Sequence, residues 1–278
     1  MSSYIIKGGN KLEGTVRISG SKNASLPIIA ATILNKGTTT LYNVPNIQDT
    51  QMMYEIIKLL GGKVQKKKNK VIINTSNINK YEIPDALMHK MRSSVIIVGS
   101  IVGRYKTATF TYPGGCEIGS RPIDLHLKAF EKLGIHINQN YGNITCNAEK
   151  IIGNKIDFDF PSVGATENAI LASILAEGKT TITNAAREPE IIDLQNFLNK
   201  MGAKITAQGK SAFFEGVDKL YGAPVYSTDL RAGAALIIAG ITAKGKTEVY
   251  NLEHIDRGYE NIEQKFRNLG ARIERVTE

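Results

Sequence analysis

One cysteine, Cys116, stands in the glycine-rich stretch 113–125, which reads PGGCEIGSRPIDL. Glycine gives a loop backbone freedom, and Arg121 follows the cysteine within the same stretch. A neighbouring cation favours the thiolate and lowers the pKa of a thiol. The stretch therefore suits a proton donor or a reactive thiol in an enzyme that handles an anionic, phosphorylated substrate. The alternative is a chemically passive loop cysteine.

Basic residues recur just before, or at the start of, predicted helices. They are Lys22 in SKNASLP, Arg92 in MRSSV, Arg121 in SRPIDLH and Arg231 in TDLRAG. A cationic side chain beside the free N–H groups of a helix N-terminus can bind a phosphate or a carboxylate. Each alone is compatible with an ordinary surface charge, but recurrence at equivalent places favours anion binding.

Two further motifs offer polar groups to a ligand. In PSVGATENAI, Ser162, Gly164 and Thr166 present hydroxyls and backbone N–H groups to a phosphate, or else form an ordinary helix cap. In HIDRGYENIE, Arg257 lies between a strand and the last predicted helix. The alternatives there are a surface arginine or a buried Asp256.

The sequence lacks the local motifs of metal sites, catalytic triads and common nucleotide-binding sites. The four histidines are His89, His126, His136 and His254, and none belongs to a His/Cys/Asp cluster with metal-ligand spacing. No Ser-His-Asp arrangement, GxGxxG motif or P-loop is recognisable. Cys146, in the strand-like GNITCNAE, is predicted to be a packing residue. We therefore expect no cofactor and no metal.

A repeat provides the elements that would position these residues. The pattern glycine, any residue, basic residue, β-branched residue recurs at intervals of about 70 residues, each time after an amphipathic helical pattern. Its four glycines are Gly61, Gly134, Gly202 and Gly270. Glycine there suits a left-handed helix C-cap, and a strand-like run follows each time.

The front of each repeat is an Ala-rich apolar helix. These helices are NASLPIIAATIL, MRSSVIIVGSIV, ATENAILASILAEG and RAGAALIIAGITAKG. One unit thus reads helix, strand, helix, strand, often followed by another strand. The Ala-rich helices are predicted to be buried and the second helices exposed on one face. Related α/β units packed around shared central helices are the predicted architecture.

Composition limits the class of protein. The chain has 278 residues, 42% hydrophobic and 22% charged, which is typical of a globular protein with room for two domains. No apolar run is long enough for a membrane span, and MSSYIIKGGNKLEG lacks the apolar core of a signal peptide. Two cysteines give no disulfide framework, so we expect a cytoplasmic location.

The net charge of +9 permits either nucleic-acid binding or a basic surface that attracts small phosphorylated substrates. The densest basic run, KVQKKKNKVII, lies between two strand-like runs and is predicted to be a solvated hairpin. No aromatic residues interleave with it, as a base-stacking surface requires. The second interpretation is favoured, with no nucleic-acid or membrane partner.

The motifs together resemble the UDP-N-acetylglucosamine 1-carboxyvinyltransferase family of enolpyruvyl transferases along the whole chain. They are SGSKNASLPIIAA, MRSSV, PGGCEIGSRPIDLH, FPSVGATENAI, NAAREPEIIDL, TDLRAGAAL and HIDRGYENIEQK. The cysteine loop is the specific part, because the related shikimate-pathway enzyme shares the fold but lacks that loop. The resemblance implies transfer of the enolpyruvyl group of phosphoenolpyruvate to the 3-hydroxyl of UDP-N-acetylglucosamine, in peptidoglycan precursor synthesis, hence in cell-wall formation, cell shape and cell division.

The resemblance also implies residue roles. Cys116 matches the proposed acid, Lys22 the phosphoenolpyruvate-binding lysine, and Asn23 its neighbour. Arg231 and Arg257 match arginines of the second domain that close on phosphoenolpyruvate, with Arg257 counted among the catalytic residues. The matches for the UDP-sugar and the rest of the substrate site are Arg92, Arg121, Pro122, Ile123, Asp124, Leu125, Ser162, Val163 and Gly164.

One departure from the family is large. The family fold, an inside-out α/β barrel of βαβαββ-type units, has two domains of three units, whereas four units are counted here. Two units of the second domain are missing, together with the FPTD-like segment whose aspartate is the proposed base. Residues 20–215 are expected to form a complete three-unit domain. Residues 1–19 and 216–278 are expected to form a remnant with exposed apolar surface and a tendency to self-associate. The alternative function is therefore an inactive remnant that retains at most UDP-sugar binding.

Overall fold

The computed structural model describes residues 2–68, 70–114, 122–200 and 221–277, apart from the side chains of Arg92 and Lys200. Cys116, Arg121 and Gly202 lie outside the described residues. The chain divides into two compact units. The larger unit comprises Gly20–Val44 and Asp49–Gly209, and the smaller comprises Met1–Ser19, Pro45–Gln48 and Lys210–Glu278. We describe each unit by itself.

The larger unit alternates helices with short strands. Its helices are α1 (Lys22–Ala31), α2 (Gln48–Leu59), α3 (Asp85–Lys90), α4 (Ile96–Tyr105), α5 (Asp124–Lys132), α6 (Val163–Ser173) and α7 (Pro189–Lys200), with 3-10 turns at Thr32–Leu34 and Arg92–Val95. Its strands are β2 (Thr38–Tyr42), β3 (Lys63–Lys67), β4 (Lys70–Asn74), β5 (Thr107–Thr111), β6 (His136–Asn140), β7 (Asn143–Asn147), β8 (Lys155–Asp157) and β9 (Thr181–Thr183).

Three Ala-rich helices form the centre of the larger unit, as the sequence predicts. In α4 every residue from Ile96 to Gly103 is buried, and in α6 every residue from Ala165 to Ala172 is buried. Helix α4 packs on both α1 and α6. The contact with α6 is close: a Cβ at Gly99 would lie 2.5 Å from Asn168 Oδ1, so only glycine fits there. Helices that are apolar on all sides are thus enclosed by their neighbours.

The strands form small sheets with a common plan. Strands β2, β4 and β3 make one antiparallel sheet, and β5, β7 and β6 make another in the same order. A parallel bridge between Glu82 and Thr109 extends the second sheet, and β8 pairs with β9 in parallel. Each three-stranded sheet thus pairs the strand after an Ala-rich helix with the second strand of the following hairpin.

The predicted basic hairpin is present. Strands β3 and β4 pair antiparallel, and the side chains of Lys63, Lys66 and Lys67 are exposed. Part of the lysine run therefore lies in a strand rather than in the turn. No helix in the described ranges is long and apolar enough to cross a membrane.

The smaller unit combines the two ends of the described chain. Its elements are β1 (Ser2–Lys7), β10 (Pro224–Tyr226), α8 (Leu230–Thr242), β11 (Lys246–Tyr250), α9 (Glu253–Asp256), α10 (Ile262–Asn268) and β12 (Arg272–Thr277). The sheet order is β10-β11-β1-β12, so the N-terminal strand pairs with β11 on one side and β12 on the other. Tyr4 and Ile6 point from β1 into the core and are fully buried.

Helix α8 departs from the expectation that every Ala-rich helix is buried. Its buried residues lie on one face, at Gly233, Ile237, Gly240 and Ile241. The opposite face is open to solvent, and Ile238 is 54% exposed. The physical reason is that the described part of the smaller unit supplies no helix to cover that face, whereas α4 and α6 cover each other.

Left-handed residues mark equivalent points of the repeat. The predicted C-cap glycines Gly61, Gly134 and Gly270 have φ of +105°, +80° and +99°, as the sequence pattern predicts. A second set follows the strands after the Ala-rich helices, where Asn43, Asn184 and Asn251 all have φ between +53° and +58°. Asparagine tolerates this conformation better than most residues.

Candidate functional site

Three helices of the larger unit contribute their first turns to one polar cluster. Helix α1 provides Lys22 and Asn23, α2 provides Asp49, and α7 provides Glu190. Ser21 caps α1, because its hydroxyl accepts a hydrogen bond from the Ala24 N–H at 3.3 Å. Carboxylates in a first turn interact favourably with the positive end of the helix dipole. The cluster therefore joins a lysine, an amide and two carboxylates.

Lys22 forms an ion pair with Asp49. The distance from Lys22 Nζ to Asp49 Oδ2 is 2.6 Å, and the two side chains are 12% and 3% exposed. A charge this far from water is costly unless an opposite charge lies beside it. Asp49 therefore holds the Lys22 ammonium in place at the start of α1, where an anionic ligand can approach it.

Asn23 is held by a different acidic residue, Glu190. Its Nδ2 donates a hydrogen bond of 2.9 Å to Glu190 Oε1, and Glu190 is buried. This bond orients the Asn23 amide, because the carboxylate can only accept. Lys22 and Asn23, adjacent in the chain, are thus each oriented by a separate acidic residue.

A third carboxyl group lies behind this pair. Glu167 on α6 is buried, and burial raises its pKa well above the usual value, with further contributions from Glu190 and Glu188. Such surroundings favour the protonated, neutral form of a carboxyl group.

A second group of predicted residues surrounds the start of α6. Ser162 caps this helix by accepting a hydrogen bond from the Ala165 N–H at 3.4 Å. A Cβ at Gly164 would lie 3.2 Å from His126 Cε1, so the loop passes close to the imidazole. His126 Nδ1 in turn lies 2.7 Å from Asn168 Nδ2. The loop 162–164 is thereby joined to α5, the helix that begins at Asp124.

Along residues 122–125, which lead into α5, exposed and buried side chains alternate. Ile123 and Leu125 are buried, whereas Pro122 and Asp124 are exposed. The two apolar side chains anchor the segment in the core, which leaves the other two facing solvent. Arg92 begins the 3-10 turn before α4. The structure thus brings 123–125 near 162–164 through His126, but it describes neither Cys116 nor Arg121.

The smaller unit positions Arg231 and Arg257. Arg231 is exposed in the first turn of α8, whose cap is Asp229. Hydrogen bonds from the Ala232 and Arg231 N–H groups hold the pKa of Asp229 below its usual value. Arg257 follows α9, which Arg275 anchors through two bonds to Asp256, from Nη2 at 2.5 Å and from Nη1 at 3.0 Å.

Comparison with known proteins decides the family. The profile of EPSP synthase (3-phosphoshikimate 1-carboxyvinyltransferase) matches residues 6–219 and 209–266. UDP-N-acetylglucosamine 1-carboxyvinyltransferase 2 of Carboxydothermus hydrogenoformans is 35% identical over an alignment of 419 positions, which covers 100% of both chains. The protein of the same name from Caldanaerobacter subterraneus subsp. tengcongensis is 33% identical over 416, covering 99% of this chain and 100% of its own.

The chain belongs to the UDP-N-acetylglucosamine 1-carboxyvinyltransferase family. Its α/β fold is that of enolpyruvyl transferases. The enolpyruvyl transferase NikO from Streptomyces tendae matches with a TM-score of 0.82 at 17% identity, over 100% of this chain and 99% of NikO. EPSP synthase from Acinetobacter baumannii matches with a TM-score of 0.58 at 19% identity, over 75% of this chain and 48% of that structure. These two likenesses concern the fold alone.

Sequence reasoning missed several residues of this enolpyruvyl transferase. They are Asp49, Glu190, Glu167, His126 and Asn168. The repeat contains a signal for two of them. Asp49 stands six positions after Asn43, and Glu190 stands six positions after Asn184, both asparagines being left-handed. At the same distance after the left-handed Asn251 stands Arg257, which was predicted. Aligning the repeats at these asparagines would have singled out both carboxylates.

Proposed function

We propose that this chain transfers the enolpyruvyl group from phosphoenolpyruvate to the 3-hydroxyl of UDP-N-acetylglucosamine in peptidoglycan precursor synthesis. The names of the relatives support this reaction. The observation that carries it in the structure is the buried pair of Lys22 with Asp49 beside Asn23 and Glu190. It holds a cation where the resemblance calls for the phosphoenolpyruvate-binding lysine. A cytoplasmic location and roles in cell shape and division belong to the same proposal.

The reaction balances as an addition followed by an elimination. The sugar hydroxyl loses its proton as its oxygen bonds to C2 of phosphoenolpyruvate, and C3 gains a proton. The tetrahedral intermediate then loses a proton from C3 and breaks the bond from C2 to the phosphate oxygen. The products are an enolpyruvyl ether and inorganic phosphate. The steps need an acid over C3, cations for the substrate anions and a base for the hydroxyl.

The proposal gives each predicted residue one role. Cys116 protonates C3. The other catalytic residues are Lys22 and Arg257, which with Asn23 and Arg231 bind phosphoenolpyruvate. The UDP-sugar and the remaining substrate contacts fall to Arg92, Arg121, Pro122, Ile123, Asp124, Leu125, Ser162, Val163 and Gly164. His126 supports this second set, because its contact with Gly164 and its place on α5 connect two of the segments. Nucleic acid and membranes have no role.

We further propose that the fold contains four units of the family's six, in an inside-out α/β barrel. The three-unit domain is 20–215, and the remnant is 1–19 with 216–278. The two compact units and the shared strand order support this division. So does the family profile, whose two matches both include residues 209–219. One segment that matches the profile twice is expected where two similar units have been fused.

A second candidate function is an inactive remnant that still binds the UDP-sugar. The alignment with the Carboxydothermus protein has 419 positions, more than the 278 residues of this chain, so part of that relative has no counterpart here. We place the segment with the catalytic base in that missing part. Binding of the UDP-sugar would survive its loss, because the residues proposed to hold the sugar belong to the larger unit.

Phosphate release separates the two candidates. The full chain should release phosphate from phosphoenolpyruvate only when UDP-N-acetylglucosamine is present, and Cys116→Ala and Lys22→Ala should abolish the release. Lys150→Ala is a control, because Lys150 makes an exposed ion pair with Glu177 and belongs to none of the segments assigned to the substrates. Calorimetric binding of UDP-N-acetylglucosamine without any phosphate release would support the remnant instead.

A further inference from the structure

Asn168 lies on α6 in the core of the larger unit, and its side chain is fully buried. Two backbone groups next to it fix the orientation of its amide. The Oδ1 atom accepts a 2.8 Å hydrogen bond from the Gly99 N–H, and Nδ2 donates a 2.9 Å bond to the Val95 carbonyl. A backbone N–H can only donate and a carbonyl can only accept, so the amide fits in one orientation.

The second hydrogen of this amide determines where His126 carries its proton. Asn168 Nδ2 lies 2.7 Å from His126 Nδ1. Because an amide nitrogen is a donor and not an acceptor, Nδ1 accepts this bond and carries no proton. The imidazole is therefore neutral, with its proton on Nε2. His126 is buried as well, so Asn168 rather than bulk water determines this tautomer.

The same amide lies at the junction before α4. Val95 ends the 3-10 turn that begins at Arg92, and Gly99 follows in α4. The Val95 carbonyl and the Gly99 N–H are four residues apart, which is the spacing of a helical hydrogen bond, and Asn168 bonds to both. Glycine leaves space for the amide, since a Cβ at Gly99 would lie 2.5 Å from Oδ1. Asn168 thus fixes the point at which the turn passes into α4.

His126 connects Asn168 to two further segments. Its backbone N–H donates a 2.9 Å hydrogen bond to the Ile123 carbonyl. The edge of its ring faces Gly164, where a Cβ would lie 3.2 Å from Cε1 and 3.4 Å from Nε2. Gly164 belongs to the first turn of α6, after the cap Ser162. The imidazole therefore joins the start of α5 to the start of α6.

We propose that Asn168 positions the substrate-binding segments of this unit, by fixing the junction before α4 and by holding His126 as the neutral Nε2–H tautomer. The segments are the turn that begins at Arg92, residues 122–125 and residues 162–164. The inference rests on the proposed function, which assigns all three to the UDP-sugar and the remaining substrate contacts. Asn168 is fully buried, so it acts through the groups to which it bonds rather than on the substrate.

The tautomer can be measured by NMR on the full chain labelled with ¹⁵N-histidine. The signals of His126 are assigned by their loss in His126→Gln. In the wild type, Nε2 should be protonated and Nδ1 should not. In Asn168→Asp the carboxylate still accepts from the Gly99 N–H but offers His126 no donor, so Nδ1 should become protonated. A wild-type His126 with its proton on Nδ1, or an unchanged tautomer in Asn168→Asp, would overturn the proposal.

Calorimetric binding of UDP-N-acetylglucosamine tests the positioning role. Asn168→Asp should weaken binding by about tenfold, which corresponds to the loss of one hydrogen bond. Since Asn168 acts partly through His126, the double variant with His126→Gln should lose less affinity than the product of the two single losses. Losses that multiply in full would show that the two residues act independently and would contradict the proposal.

Thr32→Val separates positioning from a general loss of stability. The Thr32 hydroxyl is equally buried and donates a 2.7 Å hydrogen bond to the Ile29 carbonyl, outside the three segments. This control should lower the free energy of unfolding but leave the affinity for the UDP-sugar unchanged. Binding is compared at a temperature where thermal unfolding shows every variant to be folded. Equal losses of affinity in Thr32→Val and Asn168→Asp would overturn the proposal.

Failure of this inference is distinguishable from failure of the proposed reaction. A wild-type chain that binds the UDP-sugar and shows the Nε2–H tautomer, but releases no phosphate, would contradict the reaction alone. Phosphate release by the wild type, together with unchanged UDP-sugar binding in Asn168→Asp, would contradict the role of Asn168 alone.

Discussion

The amide of Asn23 donates a 2.9 Å hydrogen bond to the carboxylate of Glu190, 167 residues further along the chain. The preceding residue, Lys22, makes its ion pair with Asp49. The two acidic residues occupy the same position in different repeats, six residues after a left-handed asparagine. The repeat thus supplies a positioning carboxylate to each of the two adjacent side chains that are proposed to bind phosphoenolpyruvate, and fixed side chains lose less freedom when a substrate binds.

Removing the acceptor of the Asn23 bond should weaken catalysis. In Glu190→Ala the amide loses its orientation, and a hydrogen bond to a charged group contributes about 1.5–3 kcal/mol. We expect kcat/KM for phosphoenolpyruvate to fall by about ten- to a hundredfold, with Glu190→Gln recovering part of the loss because its amide oxygen still accepts. Steady-state kinetics of both variants check this. Equal losses in the two variants would show that Glu190 does not act by orienting Asn23.

The Lys22–Asp49 pair should be strongly coupled in stability. Asp49→Leu leaves the Lys22 ammonium without this partner in a largely buried place, which costs about 3–5 kcal/mol. Lys22→Met together with Asp49→Leu should restore most of the free energy of unfolding while activity stays absent. Urea unfolding of the two single variants and the double variant gives the free energies of unfolding for a double-mutant cycle. Additive losses would contradict a direct interaction between the two side chains.

Much of the fold follows from the sequence, because it depends on local patterns. The left-handed Gly61, Gly134 and Gly270 and the buried helices α4 and α6 agree with the predicted periodicity. The candidate site is less accessible to that reasoning. Lys22 was predicted from its place at the start of a helix and Asn23 from the family resemblance, but Glu190 became visible only when the fold brought the start of α7 to the start of α1. Contacts between residues far apart in sequence leave no local pattern.

Glu167 should make stability depend on pH. Its pKa is raised in the folded protein by burial and by Glu190 and Glu188, so the native state keeps a proton that the unfolded state loses above its ordinary pKa of about 4.3. The contribution of Glu167 to the free energy of unfolding therefore falls as pH rises above the ordinary glutamate pKa. Glu167→Gln should flatten the decline above the ordinary glutamate pKa of about 4.3. Urea unfolding at several pH values gives the slope of the free energy of unfolding against pH.

The matched control for that slope is Glu149→Gln. Glu149 is an exposed carboxylate of the same unit, and neutralising it should leave the pH dependence of unfolding as it is in the wild type. An unchanged slope in Glu167→Gln would mean that Glu167 is ionised in the folded protein, contrary to its burial.

Asp229 should stabilise the start of α8. Its side chain caps the helix by accepting from Arg231 and Ala232 N–H at 2.8 Å and 3.0 Å, so Asp229→Ala should cost about 1 kcal/mol. The pKa of Asp229 is lowered in the folded state by these bonds. Its charged contribution is therefore present above the ordinary aspartate pKa of about 3.9 and is lost as pH falls below it.

Amide hydrogen exchange measures the local effect of this cap on the start of α8. Amides in the first turn of α8 should exchange faster in Asp229→Ala, while amides of α6 in the larger unit should not change. Asp229→Asn keeps a capping oxygen, so it should preserve most of the protection but remove the acid dependence. Protection in Asp229→Ala equal to the wild type would contradict the capping role.

The open face of α8 shows a second limit of sequence reasoning. Composition predicts burial for LRAGAALIIAGIT, because apolar helices are usually enclosed. Burial also requires a neighbour, and the described part of the smaller unit has none for Ile238. The number of units, which the repeat spacing indicates, is therefore as informative about exposure as the residues of the helix.

The proposed reaction is tested most directly by following the carbon of phosphoenolpyruvate. The full chain is incubated with phosphoenolpyruvate labelled with ¹³C at C2 and C3 and with UDP-N-acetylglucosamine, and the products are observed by NMR. We expect a UDP-sugar that carries the labelled enolpyruvyl group, formed in equal amount with phosphate and absent in Cys116→Ala. Labelled phosphoenolpyruvate that remains unchanged while the UDP-sugar binds would contradict it.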